Sequence, residues 1–239
     1  MRILFYSAAC SVAVMALSFS ASAQINGTAY IGVPGAAGQF ATLSEFNTAA
    51  GGANTGSYTW TAPTFNGVTF AAGGFFSGPY TGNQWVTSGG GTVTSGSSAA
   101  SQQMAQGFAN SFVPCGSFFN PTCKSTIMEI TGTAALTHND LIRITHDDGV
   151  QLYLGGTAAG NLVINDSDPT ATDTSTYFYS GPATTESFTL IYDECCGGPA
   201  DLSVRGLGVV ATPEPASLGL MGIALLTAGV AYRRRRKAV

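Results

Sequence analysis

Charge is what this sequence has least of. Asp, Glu, Lys and Arg make up 9% of its residues. Between residues 24 and 212 the cations shrink to Lys124, Arg143 and Arg205 against twelve acids, a net charge of −9. Such a surface repels nucleic-acid phosphates and anionic lipid, so no nucleic-acid partner is expected, whereas a divalent cation or plain solubility suits it. Histidine is equally scarce, His138 and His146 being the two. No Ser stands in a Gly-x-Ser-x-Gly elbow, no Gly-rich phosphate loop opens a helix, and Cys-x-x-Cys and His-x-x-x-His spacings are missing. The common hydrolase, nucleotide and zinc signatures are therefore absent. A glycosidase needs two carboxylates, so Glu129, Glu186 and Glu194 leave that class formally open, but the expectation is a protein that is not an enzyme.

Long apolar runs lie at the two ends. Met1-Arg2, the stretch Ile3 to Phe19, and Ala21-Ser22-Ala23 before Gln24 have the charged, hydrophobic and small-residue regions of a secretory signal peptide over residues 1–23. At the other end Pro213-Glu214-Pro215 precedes an apolar run, Ala216 to Tyr232, and then Arg233-Arg234-Arg235-Arg236-Lys237. At about 1.5 Å per residue the run reaches roughly 26 Å, near the lower limit for a transmembrane helix over 216–232. The cations stay on the cytoplasmic side, leaving the body outside. A plain single-pass anchor has this form. The order Pro-Glu-Pro, helix, arginine cluster in 213–237 also resembles the PEP-CTERM sorting signal of Gram-negative bacteria, sometimes labelled an ice-binding protein C-terminal domain. The resemblance implies an exosortase as partner, a transient inner-membrane anchor, and release or transfer at the cell surface, often beside exopolysaccharide.

The secreted segment, residues 24–212, suits one domain. Its cysteines are Cys115, Cys123, Cys195 and Cys196, disulfide candidates in an oxidising compartment, with three connectivities open. Helix signals are few; a short helix is expected somewhere in 101–112. Runs rich in Thr, Val, Ile, Phe and Tyr between Gly, Pro, Asn and Asp predict short strands at 57–61, 67–70, 125–136, 187–192 and from Leu202. The Gly- and Ser-rich stretch 87–103 reads as a loop or flexible insert. Ile142, Ile144 and His146 alternate with Leu141, Arg143 and Thr145; after Asp147-Asp148-Gly149, Val150, Leu152 and Leu154 alternate with Gln151 and Tyr153. This predicts two strands joined by an acidic tight turn. The fold class expected is all-β, an antiparallel β-sandwich. Asn165-Asp166-Ser167-Asp168 with Asp173 lacks the Gly and Glu of an EF-hand loop and reads as a polar turn. Trp60 and Trp85 are expected in the core, with stacking on sugar as the other role open to them.

The stretch from Thr145 to Gly156, with its Asp-Asp-Gly turn before a Leu-Tyr strand, resembles the signature of PA14-type domains. Phe188 to Glu194, followed by Gly197 to Leu202, is similar to a later PA14 element; the resemblance covers about 125–210. It implies, for some members, carbohydrate recognition through a calcium ion held by paired aspartates. On that basis Asp147, Asp148, Asp193 and Glu194 are the candidate metal ligands and Ca²⁺ the candidate cofactor. An adhesin-type site has an asparagine where this chain has Asp193 or Glu194, and Cys195-Cys196 follow, which departs from the pattern. Independently of any family, Ca²⁺ takes six to eight oxygens and can leave sites for a sugar diol, provided the chain turns sharply between Asp147 and Asp148. The same Asp-Asp-Gly is equally readable as a solvated hairpin turn.

The resulting expectation is an exported cell-surface or extracellular-matrix protein, a non-catalytic, Ca-dependent carbohydrate-binding or adhesion module taking a polysaccharide or cell-surface glycan. A structural biofilm-matrix protein without a specific ligand is the alternative. Ice binding is disfavoured, since the Thr residues show no regular spacing.

Overall fold

The structure, a computed structural model, describes residues 24–34, 40–54, 56–63, 65, 91–96, 124–195 and 202–210. The expected signal peptide, the membrane helix, the helix at 101–112, the strand at 67–70, Trp85, Cys115, Cys123 and Cys196 lie outside them.

The described strands are β1 (Ile25–Pro34), β2 (Gly56–Ala62), β3 (Thr92–Ser95), β4 (Lys124–Leu136), β5 (Leu141–His146), β6 (Val150–Leu154), β7 (Leu162–Asp166), β8 (Asp173–Phe178), β9 (Thr184–Glu194), β10 (Leu202–Arg205) and β11 (Gly208–Val209), with one helix, α1 (Leu43–Ala50). A large sheet runs β3-β2-β1-β4-β9-β6-β7, with β11 also on β4, and a small one runs β10-β5-β8. All the pairings are antiparallel. The early strands thus belong to the same sheet as the later ones: β1 lies between β2 and β4.

The sheets pack face to face. Ile142, Ile144, Leu202 and Val204 of the small sheet share a core with Ile25, Trp60, Met128, Ile130, Leu152, Phe188, Leu190 and Tyr192 of the large one. Two aromatic rings lie across glycines in directly opposed strand positions, Trp60 over Gly27 and Phe188 over Gly132. A Cβ at Gly27 would enter the Trp60 indole, so the close approach needs glycine there. Trp60 is a core residue, as expected.

The opposite face of the large sheet is also covered. Phe46 and Ala49 of α1 pack on Val33, Ile127, Tyr153 and Ile191. This makes β6 buried on both faces, where alternation alone left Gln151 and Tyr153 facing outward. Sequence reasoning missed α1 because it is eight residues long, yet its start carries a readable signal. Thr42 Oγ1 accepts from Glu45 N–H at 3.1 Å, and Glu45 Oε2 accepts from Phe40 N–H at 2.8 Å, a variant of the capping box. The 87–103 reading is corrected as well: Thr92–Ser95 forms β3, paired with β2, because β-branched Thr92, Val93 and Thr94 outweigh the glycines on either side.

Candidate functional site: a buried acidic crossover

The Asp-Asp-Gly segment is not a solvated hairpin turn. The β5 strand pairs with β8 and β10 in the small sheet, whereas β6 pairs with β7 and β9 in the large one. Residues 147–149 therefore carry the chain from one sheet to the other. Alternation within each strand was legible, but alternation does not say which sheet a strand joins. The consequence is burial, with Asp147 7% and Asp148 5% exposed.

Local bonding fixes this crossover. Asp148 adopts φ 60°, a left-handed conformation that Asp tolerates better than most residues. Its N–H donates to Thr170 O at 3.0 Å and to Asp147 Oδ1 at 3.1 Å. Its carbonyl accepts from His146 Nδ1–H at 2.7 Å, a role the carbonyl can play only as acceptor, which sets the proton on Nδ1. His146 Nε2 faces Ser175 Oγ at 3.1 Å and Asp166 Oδ2 at 3.4 Å, and Ser175 donates to Asp166 at 2.8 Å. Asp166, expected in a polar turn, instead closes β7 and ties the two sheets together through this bridge. At Gly149 a Cβ would run into the Ser167 carbonyl, which itself accepts from Ala41 N–H at 3.0 Å. The crossover is thus wedged between β7 and the approach to α1.

The end of β9 closes the other side. Cys195 N–H donates to Asp148 Oδ2 at 2.6 Å, and Asp193 N–H donates to Gly149 O at 3.2 Å. Cys195 is disulfide-bonded. Asp193 and Glu194 are both fully buried. They face opposite ways. Glu194 follows Tyr192 on the inter-sheet face, and Tyr192 O–H donates to its Oε2 at 2.8 Å. Asp193 stands opposite Ile127, on the side covered by α1. The structure therefore gathers Asp147, Asp148 and Glu194 near one another and sets Asp193 behind them. As they stand, no three His, Cys, Asp or Glu among the described residues form a group that could hold a metal ion.

The electrostatics of this cluster are unfavourable for charge. Burial pushes the Asp148 carboxyl well above the usual range, the Cys195 N–H opposes that, and the Asp147 charge adds to it. Glu194 rises through burial and then the Asp148 charge, and Asp193 through burial, Asp148 and Glu45. Among the described residues Glu194 Oε1 has no hydrogen-bond partner, while the Ser125 hydroxyl and the Glu194 N–H face the Asp193 carboxylate and partly offset its rise. Neither residue forms an ion pair among the described residues. Buried carboxyls this close in the chain, with hydrogen bonds left unmade among the described residues, cost stability unless protons or a cation neutralise them.

The carboxylates named for glycosidase chemistry do not form a pair. Glu186 and Glu194 are eight residues apart on β9, roughly 27 Å along an extended strand, against the ~5–9.5 Å such chemistry uses. Glu129 lies on the α1 side, the face carrying Ile127, where partial burial raises its carboxyl.

Among solved structures the chain is similar to a PA14 sugar-binding domain from an RTX adhesin, at 17% identity and TM-score 0.45, covering 77% of this chain and 89% of that one. It is also similar to the PA14 domain of the antifreeze protein MpAFP, at 13% identity and TM-score 0.46, covering 77% and 80%. No curated protein sequence matches. The C-terminal residues 211–236 match the PEP-CTERM protein-sorting motif, so the chain carries a PEP-CTERM signal, which implies export, exosortase processing and the cell surface.

Proposed function

We propose that this exported protein is a non-catalytic carbohydrate-binding module of the cell surface or matrix whose acidic crossover takes Ca²⁺. The observation that carries the reading is the burial of Asp147, Asp148 and Glu194 together, with Glu194 Oε1 lacking a hydrogen bond among the described residues. These carboxylates also bond within the crossover and form no three-ligand group as they stand, but carboxylate oxygens are the donors a hard cation takes. Asp147 and Asp148 would hold the ion, with Glu194 beside them and Asp193 contributing charge from the other face. When bound, Ca²⁺ supplies open coordination positions for paired sugar hydroxyls. The chain's own part is to hold Asp148 through Cys195 N–H and the His146 bond to its carbonyl, so that the two aspartates cannot swing apart.

The test is retention of the exported protein on immobilised neutral and acidic polysaccharides, with Ca²⁺ and with EDTA. Retention that requires Ca²⁺ and disappears in Asp147→Ala is the expected result. Calcium-independent behaviour on every resin contradicts the proposal and leaves a matrix protein without a specific ligand at this site.

A further inference from the structure

Two of the three cations between residues 24 and 212 stand side by side. In the small sheet Arg143 of β5 is directly opposed by Arg205 of β10 on one side and by Thr176 of β8 on the other. The next rung outward-facing residues are Ser203, Thr145 and Thr174, and Leu141 opposes Phe178 beyond Arg143. Alternation puts all of these on the face turned away from the core, since Ile142, Ile144, Leu202 and Val204 occupy the inner one. Arg143, Arg205, Thr174 and Thr176 are exposed, and Phe178, at 65% exposure, is an exposed large apolar side chain. The Thr145 and Thr174 hydroxyls meet at 3.0 Å across the strands. None of the residues in these rungs is acidic, and neither arginine makes an ion pair among the described residues.

Like charges directly opposed across strands are destabilising. Here they stand adjacent in a body whose net charge is −9, where twelve acids offered partners elsewhere. Paired guanidinium groups present two planar forks suited to carboxylate oxygens. The hydroxyl rung beside them offers both donors and acceptors, and an exposed aromatic edge beyond gives an apolar platform for a ring.

We infer that the outer face of the small sheet binds a uronate-bearing polysaccharide, with carboxylates on Arg143 and Arg205, ring hydroxyls on Thr145, Thr174 and Thr176, and an apolar sugar face on Phe178. The surface is distinct from the acidic crossover, which follows the end of β5 and leads into the other sheet, and it needs no metal. A polyanion can approach this face despite the net charge of −9, because the local cations override distant charge within a Debye length of about 8–10 Å.

The experiment is affinity electrophoresis and equilibrium binding of the exported protein in EDTA to polygalacturonate and to the same polymer with its carboxyls reduced to alcohols. Binding to the carboxylated polymer, weakened at least tenfold by Arg143→Gln/Arg205→Gln, weakened by added salt, and lost on the reduced polymer is expected. Phe178→Ala should weaken it severalfold. Equal binding to both polymers, no binding to either, or full binding by the double variant with an unchanged unfolding midpoint would overturn the inference. Because EDTA is present throughout, failure here says nothing against the calcium site, and loss of the calcium response leaves this result standing.

Discussion

The strand β9 passes through two interiors that are equally buried and chemically opposite. Phe188, Leu190 and Tyr192 enter an apolar core between the sheets, where Phe188 lies over Gly132 and Leu190 opposes Ile130. Immediately after Tyr192, Asp193 and Glu194 are just as inaccessible, but among the described residues they meet Asp148, an unfilled hydrogen bond at Glu194 and no ion pair. Burial in the first region is the source of stability; burial in the second works against it. Buried carboxylates where apolar side chains would fit are the feature that the proposed calcium site accounts for.

That contrast can be broken at either end. Phe188→Ala should have the largest effect, about 3–5 kcal/mol lost from a close-packed aromatic site, measured by denaturant unfolding, with the response to Ca²⁺ unchanged in whatever fraction folds. Gly149→Ala should come next, about 1–3 kcal/mol, because the new methyl meets the Ser167 carbonyl; unlike the core variant, it should also diminish the calcium response.

A smaller and opposite effect is expected at the acidic end. Asp148, Asp193 and Glu194 have folded values raised above their unfolded ones, chiefly by burial. The stability they confer is therefore complete below about pH 4, where unfolded carboxyls titrate, and is lost as pH rises through the raised folded values. In EDTA the unfolding midpoint should fall from pH 5 to pH 8. Glu194→Gln keeps an acceptor for Tyr192 O–H while removing one charge, so it should raise the metal-free stability at pH 8 by on the order of 1 kcal/mol and flatten the pH dependence. A variant less stable than the parent at pH 8 would show that the cluster is neutralised in some other way. Last, Thr42→Ala should cost about 1 kcal/mol through the lost N-cap, visible as a shift of a few degrees, without touching the acidic response.

Much of this architecture was legible because β-branched and aromatic runs mark strands and, in 141–146, 150–154 and 187–192, apolar residues recur every second position. These stretches and 125–136 are all strands. What alternation does not encode is partnership. Ile142, Ile144 and His146 mark an inner face, but nothing in Asp147-Asp148-Gly149 distinguishes a hairpin from a step between sheets; that depends on β9 and β8, more than twenty residues downstream. The helix α1 is too short for a helical period, so its effect, the burial of Gln151 and Tyr153, was equally hidden. The acidic residues were named by resemblance. Their depth, and the division of Asp193 from Glu194 onto two faces, came from the packing of β9 alone.

The most direct test of the central claim is thermal unfolding of the purified chain at pH 8 with excess Ca²⁺, with excess Mg²⁺ and with EDTA, repeated on Asp147→Ala/Asp148→Ala. A ligand at one hundred times its Kd stabilises by about 2.7 kcal/mol, a shift of several degrees for a domain of this size. The account predicts that Ca²⁺ alone raises the midpoint and that the double variant does not respond. Coincident curves for the parent protein in all three conditions would contradict it and return the acidic crossover to a structural role.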